Sequence, residues 1–374
     1  MTTEAGEIMP LDDGQKEVDL LIAQTELDVE EYYKQAKEEL TEKAEDYWRR
    51  LEAKDKVKRA QLEAGEITAE EYQKWRIGQV LIGSRWDEMR ANIAADLTNY
   101  QEIAKSIVTG YTPDAYAAGF NFGTYSIEKI AKLDTSFTLY DRPTVERIIR
   151  EKPQLLPDLN PRSKVAQEIA EEKINKWHEK QIQSVCTQGV SQGESIPQIA
   201  ERITNITKQD EQATIRYART MMTGAENAGR TDSFARAEDM GIKLEQQWLA
   251  TLDERTRESH RKMDGEHKPV GELFSNGCRF PGDPKGPAAE IWNCRCALIP
   301  MLTGIPELKE DNDVTNTGLR NTDHMTEGGY NSYDEWKQGH MKPHKITEQK
   351  EKGENIKNAW AGKYKAAAKR LGVE

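Results

Sequence analysis

The sequence lacks any apolar run long enough to cross a bilayer. A transmembrane helix needs about 20 consecutive apolar residues, whereas only 36% of the 374 residues are hydrophobic and 32% are charged. It also lacks a basic start followed by an apolar core, the pattern of a secretory signal. We therefore expect a protein that is made in a cytoplasm and has no membrane partner.

Cysteine is scarce, with four residues in the whole chain. Small secreted domains stapled by disulfides carry far more cysteine than this. In a chain without a secretory signal, free thiols or metal ligands are more expected than a disulfide framework.

Three common catalytic signatures are also missing: the H-E-x-x-H helix, the G-x-x-x-x-G-K-[ST] phosphate loop and the G-x-S-x-G nucleophile elbow. The alternative of a metal-dependent nuclease or another hydrolase can be built on Asp253, His260 and Asp264. Charged clusters in the loops of small domains are more often structural ion pairs. We therefore predict that the protein is not an enzyme and has no catalytic residues.

Charge is unevenly distributed along the chain, whose net charge is −12. Residues 1–100 hold 24 acidic and 14 basic side chains, so most of the negative charge lies there. The last stretch, 356–374, is basic and also holds Trp360 and Tyr364. Lysines beside aromatic side chains can follow a nucleic-acid backbone without reading its sequence, although a Lys/Ala helix is also an ordinary surface helix. The DNA-binding candidates are Lys357, Lys363, Lys365, Lys369 and Arg370.

The pattern predicts a mainly α protein, with a long helical N-terminal region, a small loop-rich α+β domain and a polar tail. Strong helix formers dominate residues 14–108. Gly65 predicts a break there, and Thr68 with Glu71 predicts a capping box that starts the next helix. Tryptophans in this region suit internal packing, and they are also candidate anchors of an acidic docking surface: Trp48, Trp75 and Trp86.

Further along, "GYTPDAYAAGFNFGTYSIEKIAKLD" predicts a loop that leads into a short helix. Residues 208–240 predict one long helix, or two joined at Gly224 or Gly229, and Gly241 ends this segment. A strand follows with Ile242, Leu244, Gln246 and Trp248 on one face, and "CALIPML" predicts a second strand. We divide the chain into residues 1–110, 111–205, 206–305 and 306–374, the last a loosely ordered polar tail with a final helix near 347–371.

Residues 206–302 contain several short motifs in the order "ARTMMTGAENAGR", "QQWLATLDERTRESHRKMDG", "FPGDP" and "NCRCALIP". In this order the motifs resemble the C-terminal domain of the phage Mu F-like minor head proteins, also called phage head morphogenesis proteins. The motif residues are Arg219, Thr220, Trp248, Asp253, Arg255, Arg257, Asp264, Gly265, Asn293 and Arg295.

Two cysteines follow the proline-rich loop "FPGDPKGP" in the same region. Cys294 and Cys296 are two residues apart on an extended segment, so their side chains point to one face. With Cys278 and His260 they would make a four-ligand structural zinc site. Buried free thiols and a disulfide involving Cys278 are the open alternatives, and His267 could replace His260 as a ligand.

The charged residues around His260 also predict local contacts. We expect Asp253 to cap a helix that contains His260, and Arg257 to pair with Asp264 or Asp283.

The resemblance implies a minor capsid protein of a tailed bacteriophage that aids head assembly or the handling of packaged DNA. It implies a place inside the capsid near the portal vertex, after assembly in the host cytoplasm. The implied partners are the portal protein, capsid and scaffold proteins and packaged double-stranded DNA.

Overall fold

The computed structural model describes residues 13–135, 137, 139–151, 164–304, 326–327, 330 and 332–340. Helices dominate, so the predicted mainly α class is confirmed. The helices are α1 (Asp13–Glu63), α2 (Ala69–Val80), α3 (Ser84–Ala131), α4 (Arg142–Glu151), α5 (Lys164–Ser191), α6 (Ile196–Asp239), α7 (Glu258–Lys262), α8 (Ala288–Ile291) and α9 (Tyr333–His340). The strands are β1 (Leu133–Asp134), β2 (Lys243–Leu249), β3 (His267–Pro269), β4 (Ala297–Gly304) and β5 (Thr326–Glu327).

The predicted break between α1 and α2 is confirmed. Gly65 has a φ of +73°, a conformation that costs glycine little. The Glu71 N–H donates to Oγ1 of Thr68 over 3.2 Å, and the Thr68 N–H donates to the Glu71 carboxylate over 2.8 Å. This reciprocal capping box satisfies two backbone donors at the start of α2.

The loop predicted after Gly110 is wrong, because α3 continues through Pro113 to Ala131. Its glycines allow close helix packing rather than a turn. A Cβ on Gly119 would lie 2.0 Å from the Glu226 carbonyl oxygen of α6, and a Cβ on Gly229 would lie 2.2 Å from the Tyr116 carbonyl oxygen. The two helices therefore cross with their backbones in contact, which only glycine permits at these positions.

Helix α6 is continuous, which settles the choice between one helix and two. Gly224 lies inside it, where a Cβ would be 2.6 Å from the Gly282 carbonyl oxygen. The predicted end is confirmed: Gly241 has a φ of +91°, and the Ile242 N–H donates to the Ala237 carbonyl over 3.0 Å. This closes the helix end as a glycine C-cap does.

The chain forms two compact units, each discontinuous in sequence. The helical unit comprises residues 27–107 and 161–215, and the sheet unit comprises 1–26, 108–160 and 216–374. The four predicted segments were continuous stretches, so they do not coincide with these units, and their boundaries stay a prediction.

The tryptophans of the helical unit correct the docking hypothesis. Trp48 and Trp86 are each only 2% exposed, so both pack inside this unit instead of anchoring a partner. Trp75 is half-buried beside Tyr72, with ring centroids 6.2 Å apart. Apolar residues at helical spacing most often pack inside a protein, and Trp48 and Trp86 do so here.

The sheet unit contains a three-stranded antiparallel sheet in the order β3-β2-β4. Gln246 of β2 lies opposite Lys268 of β3 and Pro300 of β4. Leu244, Gln246 and Trp248 are buried on one face, which confirms the predicted alternation. The second predicted strand is confirmed as β4.

Part of the segment expected to be a loose tail is packed. Trp336 of α9 is fully buried, and its Nε1–H donates to the carboxylate of Glu128. That part of the tail prediction is wrong, because α9 buries two aromatic side chains, Tyr333 and Trp336, within a polar stretch of sequence. The predicted last helix and the basic DNA-binding candidates of 357–370 lie outside the described residues. None of the described helices is both long enough and apolar enough to span a bilayer.

Candidate functional site

The segment Asn293–Cys296 connects α8 to β4 and is held in place by its backbone. Asn293 has a φ of +54°, and its N–H donates to Oγ1 of Thr220 over 3.1 Å. The Arg295 carbonyl accepts from Gln15 Nε2 at 3.0 Å and from Thr251 Oγ1 at 2.7 Å. The two cysteine side chains are therefore delivered by a backbone that is hydrogen-bonded on both sides.

Three of the four predicted metal ligands meet in the structure. The ligand atoms of His260, Cys294 and Cys296 all lie within 4.8 Å of one another, and all three residues are buried. Nδ1 of His260 is 3.3 Å from the Cys296 sulfur and 3.7 Å from the Cys294 sulfur. The arrangement places one imidazole nitrogen and two sulfurs around a common point.

His260 is oriented from its other side. Its Nε2 lies 3.0 Å from Oε2 of Glu290, and that carboxylate also accepts from Ser259 Oγ at 2.9 Å. The Trp248 ring meets the imidazole edge to face, with centroids 5.3 Å apart. The ring nitrogen that faces the sulfurs is therefore Nδ1.

The remaining cysteines lie outside this group. Cys278 is fully buried, and a Cβ on Gly286 would lie 2.5 Å from its sulfur. Burial raises the pKa of the Cys278 thiol to about 12, and burial likewise raises the pKa of Cys186 in α5 to about 12. All four cysteines are described, and all are free thiols in the structure.

The two grouped cysteines have opposite pKa shifts. The contact with Cys294, together with His260, lowers the pKa of Cys296 to about 5. The same contact, with burial, raises the pKa of Cys294. The two sulfurs therefore interact with each other as well as with His260.

Asp253 pairs with Arg295 instead of capping a helix. The two carboxylate oxygens accept from the Arg295 guanidinium at 2.6 and 2.7 Å, and this pair holds the pKa of Asp253 well below its usual range. Helix α7 begins after Arg257, so the predicted cap is wrong. A fork-to-fork contact of this kind gives a loop a defined geometry, and here it fixes the residue between the two cysteines.

Arg257 takes neither of its predicted partners. Its Nη2 donates to the Trp292 carbonyl, while Oδ1 of Asp264 accepts from the Ala250 N–H at 2.8 Å. Asp283 instead binds Arg279 through both oxygens, at 2.6 and 2.8 Å. Arg257 and Arg279 therefore each hold a neighbouring loop by a hydrogen bond to one of its oxygens.

The hypothetical nuclease cluster has no support in this geometry. Asp253 is held by Arg295 and Asp264 by the Ala250 N–H, while His260 faces the two sulfurs. The three residues do not form one metal-binding group among the described residues.

The other motif residues have structural contacts. Gly265 has a φ of +81°, and its N–H donates to the Trp248 carbonyl over 2.9 Å. Arg219 pairs with Glu26 at 2.5 Å, and Arg255 is largely exposed, 3.7 Å from Asp253. His267 lies on β3, where its Nδ1 is 2.5 Å from a Glu245 oxygen, outside the His260 group.

Sequence reasoning missed the polar side chains that tie α6 to β4. Arg230 is 1% exposed; its Nη1 donates to the Leu298 carbonyl at 3.0 Å and its Nη2 to Glu226 at 2.6 Å. Asn227 accepts from the Leu298 N–H at 2.8 Å and donates to the Cys296 carbonyl at 3.2 Å. The sequence feature that could have indicated these contacts is the group of polar residues among small ones in "GAENAGR".

A cleft of about 860 Å³ in the sheet unit opens onto the grouped residues. His260, Cys294 and Cys296 all contribute to its wall. Charged side chains of both signs also line it, including Arg216, Arg219, Arg255, Arg257, Asp19 and Glu226. The three grouped residues are thus buried, yet they border a space that a small molecule can enter.

A second group of titratable side chains is explained by hydrogen bonds. Glu128, Asp134 and His340 lie close enough to hold an ion. However, the Glu128 carboxylate already accepts from the Thr135 N–H, the Thr135 hydroxyl and Trp336 Nε1. The group holds α9 against the end of α3.

Part of the chain that contains the site matches a known family model. Residues 180–299 match the model of the family described as phage Mu protein F like protein. The minor head protein GP7 of Bacillus phage SPP1 is 28% identical over 231 residues, covering 60% of this chain and 69% of that protein. No solved structure was found to match the chain.

Other relatives carry different names. A protein of Enterococcus faecalis named NAD(+)--arginine ADP-ribosyltransferase EFV is 28% identical over 250 residues, covering 64% of this chain and 45% of that protein. An uncharacterized protein of Haemophilus influenzae is 30% identical over 135 residues, covering 36% of this chain and 28% of that protein. The chain thus spans less than half the length of both of these relatives.

Proposed function

Because residues 180–299 match the model of the phage Mu protein F like family, we propose that this protein is a minor head protein of a tailed bacteriophage. The observation that carries the proposal is the match of 231 residues to a protein named as a minor head protein. The finer parts of the proposal are incorporation inside the head, contact with the portal vertex, and handling of packaged DNA.

The relatives from Enterococcus faecalis and Bacillus phage SPP1 match overlapping parts of this chain. Their matches cover 64% and 60% of this chain, so the two matched regions must overlap. One relative is named as a transferase and the other as a head protein. The region that both contain is therefore not specific to the transferase. We assign head assembly to the common region.

Heads assembled with and without this protein test the main proposal. Capsid, scaffold and portal proteins are co-expressed with the full chain, and purified heads are analysed by quantitative mass spectrometry. We expect a few copies per head, fewer than the major capsid protein by a large factor. Heads that never contain the chain would refute incorporation.

A second arm tests the portal contact. Omission of the portal protein should lower the copies of this chain in the heads, because the portal is the proposed docking partner. Equal incorporation into heads with and without the portal would refute the portal contact while leaving head incorporation in place. The acid-rich surface of α1 is our candidate for the docking face, without the buried tryptophans Trp48 and Trp86 as anchors.

DNA handling is proposed from the basic residues of 356–374. Each lysine–phosphate contact releases counterions, so binding to DNA falls steeply as salt rises. Deletion of 356–374 should weaken DNA retention at moderate salt and flatten its salt dependence. Replacement of Lys357 and the four other basic residues by glutamine keeps the length as a matched control and should have the same effect. Unchanged retention in both variants would contradict this part of the proposal.

Absence of enzyme activity stays a prediction. The full chain is incubated with NAD⁺ and an arginine-rich acceptor protein, and nicotinamide release is measured. We expect release at the rate of the buffer alone. Release that depends on the chain would refute the non-enzyme assignment and favour the transferase name of the Enterococcus relative for this region.

A further inference from the structure

The spacing of His260, Cys294 and Cys296 is that of a metal's coordination sphere. Zinc–sulfur distances of about 2.3 Å and zinc–nitrogen distances of about 2.0–2.1 Å put neighbouring ligand atoms of a tetrahedral site about 3.5 Å apart. The distances from Nδ1 to the two sulfurs, 3.3 and 3.7 Å, lie on either side of that value. All three ligand atoms lie within 4.8 Å of one another, so one ion can contact all of them after small adjustments.

Glu290 provides the outer contact that a zinc-bound histidine commonly has. A ligating imidazole usually directs its other ring nitrogen to a carboxylate, which fixes the ring and raises its basicity. Here Nε2 is 3.0 Å from the Glu290 carboxylate, which Ser259 also contacts at 2.9 Å. A carboxylate therefore lies beside the ring nitrogen that faces away from the two sulfurs.

The fourth corner of the tetrahedron has no protein ligand among the described residues. Cys278, the fourth ligand expected from the sequence, is not in the group. Its sulfur packs against Gly286, where a Cβ would be 2.5 Å away. His260, Cys294 and Cys296 all border the cleft, a space that water can enter.

We propose that His260, Cys294 and Cys296 bind one zinc ion, and that its fourth coordination position is open to the cleft. Structural zinc sites have four protein ligands, whereas sites with three keep a position for water or another exchangeable ligand. The site therefore takes a small donor, such as water or an anion, from the cleft. Arginines on the cleft wall, among them Arg257, favour an anion over a cation.

Metal content of the full chain is the first test. The protein is purified under reducing conditions without chelator, and zinc is measured by elemental analysis. We expect about one zinc per chain, as one three-ligand group predicts. Cys294→Ser, Cys296→Ser and His260→Ala should each lose most of it.

Cys278→Ser and Cys186→Ser are matched controls, because each removes an equally buried thiol outside the group. Both should keep their zinc. Absence of zinc from the wild-type chain overturns the site. Loss of zinc from a Cys278→Ser protein that keeps its helical circular dichroism would overturn the three-ligand set in favour of the four-ligand one.

Cobalt substitution tests the open position without any variant, so a folding failure cannot confuse the result. Co²⁺ in place of zinc should give the strong visible absorption of a four-coordinate ion and a sulfur-to-metal band. Azide should then shift the spectrum, because it can replace the exchangeable ligand. A four-coordinate spectrum that azide does not change would overturn the open position.

Glu290→Gln gives a quantitative check on the outer contact. Loss of such a partner lowers metal affinity by roughly 10–100-fold. Competition with a chromogenic chelator should show a fall of this size. An unchanged affinity would overturn the role assigned to Glu290.

Discussion

A buried polar group of the helical unit and one of the sheet unit find their hydrogen-bond partners in different ways. In the helical unit, side chains pair with one another between helices: His178 is 2.9 Å from Thr98 Oγ1 and 3.1 Å from the Asp210 carboxylate. In the sheet unit, Arg230 and Asn227 donate to backbone carbonyls of β4 and the segment before it. Regular helices satisfy their own backbone, whereas irregular loops need side-chain donors.

The two units should therefore lose stability through different kinds of substitution. A bundle of regular helices is stabilised mostly by its apolar stripes. The sheet unit holds its loops and the His260 group with individual polar contacts, each of which is costly to remove when it is buried. Three predictions follow from the comparison.

The largest effect is expected from the two fully buried arginines, one in each unit. Arg230→Met leaves Glu226 buried and takes a donor from β4, and breaking a buried pair in this way costs about 3–5 kcal/mol. Arg76→Met should cost less than this, because its ion-pair partner Asp55 keeps two other hydrogen-bond donors. No atom of the Arg76 guanidinium has a hydrogen-bond partner in the described part of the chain, and its Nε is 3.5 Å from Asp55.

Asp55 keeps other partners when Arg76 is replaced. It accepts from Arg59 at 2.9 Å and from the Tyr72 hydroxyl at 2.8 Å. Native-state hydrogen exchange reports the free energy of opening of each unit separately. Equal losses in the two variants would contradict the proposed difference between the units.

A smaller effect is expected from the glycines of the helices. Gly119→Ala places a Cβ 2.0 Å from a backbone oxygen of α6, and overpacking of this kind costs about 1–3 kcal/mol. Gly110→Ala in the same helix, and Gly78→Ala in the helical unit, meet nothing within 4 Å. Each should gain up to about 1 kcal/mol, the helix propensity of alanine over glycine. Thermal unfolding and hydrogen exchange measure both signs, and a stabilising Gly119→Ala would refute the close crossing.

The smallest effect concerns pH and the exposed pair of Asp253 with Arg295. The pair holds the pKa of Asp253 below the unfolded value of about 3.9, so its contribution is present above that pH and is lost as pH falls below it. The sheet unit should therefore lose protection between about pH 4 and pH 2 more steeply in the wild type than in Asp253→Asn. Parallel curves for the two proteins would show that the pair adds no stability.

Local patterns predicted local structure well. Thr68 and Glu71 mark the start of α2 because a capping box involves residues only three apart. Leu244, Gln246 and Trp248 mark a strand because alternation depends on the chain alone. Both features follow from short-range chemistry.

The missed features depend on distant contacts. Gly119 lies in a helix that packs closely against α6, and the Trp336 N–H donates to the carboxylate of Glu128. Both contacts join residues that are far apart in the sequence. For the candidate site, the grouping of Cys294 and Cys296 with His260 was predicted, but Cys278, which was expected to complete the group, lies outside it. Two residues of one extended segment share a face by geometry, but a cysteine sixteen positions away from Cys294 is placed by the packing of the intervening loop.

The mainly helical class, the capping box, the strands β2 and β4 and the pair of cysteines on one face could all be predicted from the sequence. Each of these follows from covalent spacing and from the period of a helix or strand. Only the tertiary structure decided that α3 runs on through Pro113, that Arg230 and Asn227 hold β4, and that three ligands rather than four surround one point. These outcomes depend on which backbones come into contact, and a contact between distant segments depends on the packing of everything between them.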